Sequence, residues 1–200
     1  MLSKSNQLMP GHRERGVMLL EVMIAIVILA VGLLGLAKLQ ASTRQLEMES
    51  YQRAQAMILL QDIVNRFTAN KAAAACYAIT DLASGAPYFG YGAPAPANCE
   101  IGTIVQQTTA LNDLTQWHAL LNGASETTED GVQAGAMIGA RGCIAYDVAA
   151  DVYVFSVVWQ GLIESSAPPG LNCATGEYGG ESQRRAVSTI VRLANLNDLT

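Results

Sequence analysis

Residues 17–37 constrain this chain more than any others, because every one of them is apolar or glycine except Glu21. A helix of about 20 such residues, rising 1.5 Å per residue, is long enough to cross the hydrocarbon core of a bilayer. A carboxylate inside it costs about 2.5–3.5 kcal/mol at the centre and less toward the interface. Glu21 is fifth from Val17, so part of that cost remains and the acid calls for a partner. The nearest candidate is an α-amine, which exists only if the chain is cut before Val17.

The residues upstream suit such a cut. Residues 1–16 are polar and basic (Lys4, His12, Arg13, Arg15), are interrupted by Pro10 and end at Gly16. A secretory signal peptide is cut at small residues that follow an apolar region of about 7–15 residues. Here the small residue precedes a longer run, so the cut leaves the apolar helix as the new N-terminus. Gly16, then Val17, Met18, Leu19, Leu20 and Glu21, behind a basic leader, resembles the processing site of type IV prepilins and pseudopilins. That resemblance implies a prepilin peptidase that cuts between Gly16 and Val17 and N-methylates Val17. It also implies that Glu21 pairs with the terminal amine of a neighbouring subunit during assembly. Val17 departs from the Phe usual in the family.

The 200 residues suggest one domain plus an anchor. The formal charge of −5 becomes about −7 once three basic residues and one acid leave with residues 1–16. An acidic chain without a basic patch argues against nucleic-acid binding. Positive residues before the span favour a cytoplasmic leader and an exported C-terminal part, an argument that Lys38 and Arg44 on the far side weaken a little. The resemblance implies an inner-membrane anchor and a periplasmic head. Cys76, Cys99, Cys143 and Cys173 all follow the span, where an oxidising compartment permits disulfides. Their spacings are unlike a zinc site, and no metal is expected. Three pairings are possible. Cys76–Cys99 with Cys143–Cys173 is the expected one, because each closes a Gly/Pro/Asn-rich loop with little apolar content of its own.

No proline occurs between Val17 and Ala86, and residues 38–71 are rich in helix-forming side chains. One helix is therefore expected from Val17 to about Lys71. Met57, Leu60, Val64 and Phe67, joined by Ala56 and Ile63, form the apolar face of its second half. Gly32 and Gly35 either soften the first half or are there because glycine is common in membrane helices. Residues 83–98 read as a loop, 101–106 as a short strand and 109–121 as a surface helix with Trp117 as core anchor. Residues 125–131 form an acidic turn. From Gly135 the period changes to two: residues 136–140, 143–148, 152–160 and 186–193 read as strands, with Tyr153, Phe155, Val157 and Trp159 on one face. A second loop, 164–183, precedes the last strand.

The expected architecture is the α+β pilin fold: leader 1–16, filament-core half-helix 17–37, amphipathic half-helix 38–71 and head 72–200, a long helix packed on an antiparallel sheet. The C-terminal half is similar to PilV-type minor pilins at Asp113, Leu114 and Trp117, at Arg141, Gly142 and Cys143, at residues 157–160 and at Arg184 and Arg185. The expected function is a minor pilin of a bacterial type IV pilus, with prepilin peptidase, other minor and major pilins and the inner-membrane assembly platform as partners. A type II secretion pseudopilin shares processing and fold. An uncleaved single-span protein with a periplasmic binding module is the alternative of another class. Enzymatic chemistry is not expected, and neither is a cofactor. With His12 removed, His118 is the one histidine left, and it reads as a surface residue. Phosphate-loop, nucleophile-elbow and zincin motifs are absent. Glu126, Glu129 and Asp130 read as a solvated turn, and Arg184 and Arg185 as solubilising residues beside a strand.

Overall fold

The computed structural model describes residues 15–124 and 137–193, with side chains from Met18 onward. The chain is α+β, a long N-terminal helix and a four-stranded antiparallel sheet in a pilin-like arrangement. Helix α1 spans Arg15–Ala69 and passes through Gly32 and Gly35 without interruption. A 3₁₀ turn, Lys71–Cys76, follows it. Next come β1 (Phe89–Gly90), α2 (Ile104–Leu121), β2 (Ile138–Asp147), β3 (Val152–Gln160) and β4 (Arg184–Val191). The chain divides into two compact units, Met1–Arg44 and Gln45–Thr200.

Within Gln45–Thr200, α1 buries Ala56, Leu59, Leu60, Ile63 and Phe67. Each large side chain on this face contributes roughly 1.5–3 kcal/mol through burial. Met57, expected on the same face, is instead 48% exposed, because the buried face centres on Ala56, Ile63 and Phe67 and Met57 lies about 100° round the helix from it. Phe67 is the aromatic hub. Its ring lies 4.7 Å from Tyr153, 5.0 Å from Phe155 and 5.5 Å from Tyr77, centroid to centroid. The aromatic face of β3 thus packs on α1.

The sheet is a meander in the order β1-β2-β3-β4, every neighbouring pair antiparallel. Residues 136–140 and 143–148 do not form two strands. Ile138–Asp147 is one strand with a register irregularity between Ile138 and Arg141. Its two faces serve different layers. Ala140 and Ile144 join the core beneath the helices, while Cys143 joins a second cluster with Val158, Cys173, Ala174 and Tyr178. Loop 164–183 therefore covers the sheet face that the helices leave open.

The remaining differences have local causes. Residues 101–106 are not a strand, because α2 starts at Ile104 under a capping box. The Gln106 backbone N–H donates to the Thr103 hydroxyl at 3.4 Å, and the Thr103 N–H donates to the Gln106 side-chain oxygen at 2.9 Å. Two orphan donors satisfied reciprocally outweigh the β-branched Ile104 and Val105. Loop 83–98 contains β1, whose Phe89 and Gly90 pair with Gly142 and Arg141. Strand β4 begins at Arg184, two residues earlier than expected. Ala136 and the acidic turn 125–131 lie outside the described residues.

Candidate functional site

From Met18 onward the apolar half of α1 is bare. The most apolar 18-residue window has a mean hydropathy of 2.8, and none of it is buried. Met18, Leu19 and Leu34 are each about 70% exposed. A helix apolar on every side is one that lipid or other chains must cover. This one is long and apolar enough to cross a membrane.

Glu21 is the only ionisable residue between Met18 and Ala37. It is exposed on this surface and has no ion-pair partner among the described residues. Gly32 and Gly35 open onto empty space, since a Cβ added to either meets nothing within 4 Å. Gly16 and Val17 belong to the first turn of α1, but their side chains lie outside the described residues, as does His12.

In the head, Cys76 is bonded to Cys99 and Cys143 to Cys173, the pairing expected from loop composition. The first bridge closes the segment that holds β1. The second pins loop 164–183 to β2. Among the described residues, no group of three or more His, Cys, Asp and Glu side chains is placed to hold a metal.

Two readings from the sequence are corrected here. His118 is not a free surface residue. It is partly buried, its Nδ1 accepts the Gly90 N–H at 3.1 Å, and burial holds its pKa below the ordinary value. Arg184 and Arg185 do not solubilise the strand. Arg184 is buried, bonded to Glu181 at 2.7 Å and donating to the Cys173 carbonyl at 3.1 Å. Arg185 donates to the Ser182 and Ile163 carbonyls and faces Glu49 at 3.4 Å.

Three further polar joints were not visible in the linear pattern. Tyr77 donates to Asp113 at 2.6 Å, and Arg66 links Asp113 to Asp62, tying the end of α1 to α2. Burial, followed by the Asp113 bond, raises the Tyr77 pKa. Arg141 is buried against the rings of Tyr88, Tyr91 and Tyr178 and pairs with Glu177 at 3.1 Å. Glu49 accepts the Leu162 and Ile163 N–H groups at 3.1 and 3.0 Å. Each joint links residues far apart in the chain, so spacing carries no sign of it. No protein-family model, curated protein or solved structure matches the chain.

Proposed function

We propose that this chain is a minor pilin of a bacterial type IV pilus, of the PilV type. The prepilin peptidase cuts after Gly16 and methylates Val17. The apolar half of α1 holds the chain in the inner membrane and then packs against the helices of other pilins on the assembly platform, with the head on the periplasmic side. The observation that supports this reading most is an uncovered apolar helix with a single acid, five residues beyond a Gly16–Val17 junction.

The chemistry is charge cancellation. A carboxylate in an apolar filament core is costly alone, and so is an ammonium; each makes the other tolerable. The pair sets axial register even where its net stabilisation is small, because any other stagger strands both charges. The two disulfides fit an oxidising compartment.

N-terminal analysis of the membrane-extracted protein tests the proposal. N-methyl-Val17 is the expected terminus. A working form that retains Met1 would refute pilin processing and leave the uncleaved single-span protein. Glu21→Ala is expected to leave processing largely intact and to lower incorporation into sheared pili, measured by immunoblot. Normal incorporation would remove the pairing role.

A further inference from the structure

A cavity of about 320 Å³ opens beside residues 46–53 of α1 and the facing ends of β3 and β4. Its polar lining comes from Glu49, Ser50, Arg53, Trp159, Ser165 and Arg185. Strand register brings part of this together, since Trp159 pairs with Arg185 across β3 and β4.

The lining is rich in donors. Trp159 is only 3% exposed, yet its indole N–H has no hydrogen-bond partner. A buried donor without an acceptor is costly and calls for an explanation. Arg53 is exposed and has neither an ion pair nor a hydrogen bond among the described residues. Two guanidiniums and one carboxylate therefore line the hollow, and the carboxylate, that of Glu49, already takes two backbone N–H groups and the contact with Arg185. Arg185 is fixed in the wall. A Cβ at Gly161 would lie 2.7 Å from its Cζ, so glycine is what lets the guanidinium lie flat on the chain. In a protein with a net charge of −5, this is a locally positive hollow with one unpaired guanidinium and one buried, unpartnered indole N–H.

We propose that the cavity is a binding site for a phosphate group, with Arg53 as its mobile cation and the Trp159 N–H as its buried donor. Guanidinium is the side chain best matched to phosphate oxygens, and the indole N–H donates only, so both select an acceptor-rich ligand. Free phosphate and the phosphodiester of a lipid headgroup share this chemistry.

The test is a titration of the full chain in uncharged detergent micelles, read on the indole N–H resonances of its two tryptophans. Trp117 is the internal control, because its N–H already donates to the Leu59 carbonyl at 2.9 Å. One arm adds inorganic phosphate, and the other adds phosphatidylglycerol without inorganic phosphate. A saturable shift of Trp159 alone is expected in at least one arm, and the arm that produces it identifies the source. Trp159→Phe assigns the resonance. Arg53→Ala, a change at an exposed position, is expected to weaken the response by roughly tenfold or more. The site is overturned if Trp159 is unmoved in both arms, if chloride at equal ionic strength gives the same shift, or if Arg53→Ala leaves the response unchanged.

Discussion

The Nδ1 of His118 can accept the Gly90 N–H only while the ring is neutral at that nitrogen, and burial favours the neutral form. A folded pKa below the unfolded value of about 6.5 means that the contribution is complete above that value. It is lost as pH falls through the lower folded pKa. The midpoint of thermal unfolding is therefore expected to drop on acidification below about pH 6.5 with a component that His118→Asn removes, since the Asn side-chain oxygen still accepts the N–H. Scanning calorimetry across that window, wild type against variant, checks this. At Gly142 a Cβ would lie 2.2 Å from a ring carbon of Trp117, a contact no rotamer relieves while the indole stays in place. Gly142→Ala is expected to cost about 1–3 kcal/mol by overpacking, measured by denaturant unfolding. Part of that loss should return when Trp117→Phe is combined with it, because the two sites touch.

At the scale of elements, what was legible depended on the range of the cause. Helix α1 was readable because period, absence of proline and composition all agree from Val17 to Ala69. The inward face of β3 was readable for a similar reason, a large apolar residue at every second position from Tyr153 to Trp159. Strand β2 is not legible as one element, because Arg141 and Gly142 look like a break in the pattern. In the fold Arg141 is accommodated by three tyrosines from other segments and Gly142 by Trp117. The start of α2 is hidden because β-branched residues stand at 104 and 105, while the Thr103–Gln106 cap that overrides them is a pair of side-chain bonds. Of the candidate site, Glu21 and the apolar run were plain in the sequence, since membrane-length hydrophobicity is a local property. The Trp159, Arg53 and Arg185 hollow was not, because it assembles residues more than a hundred positions apart. The loop over the outer sheet face has few apolar residues of its own and rests on the bridge at Cys173. Cys143→Ser with Cys173→Ser is expected to lower stability by about 2–4 kcal/mol and to make residues 164–183 the first site of proteolysis. Limited digestion followed by mass spectrometry checks both outcomes.

At the scale of the whole molecule, the two compact units make opposite demands on solvent. Met1–Arg44 contains the apolar run that water cannot cover favourably, whereas Gln45–Thr200 has its own core around Phe67, Trp117 and Phe155. A chain that starts at Gln45 is expected to fold alone and remain monomeric in buffer, while the chain that retains residues 17–44 needs detergent or partners. Sedimentation velocity, with circular dichroism on the shorter chain, checks this. The two bridges add a further consequence. Both Gly/Pro-rich loops hang on cystine, so the head cannot mature where glutathione keeps thiols reduced. Making the protein in a bacterial cytosol should yield a frayed, aggregation-prone product, and routing it through an export pathway with a thiol oxidase on the far side should restore a homogeneous one.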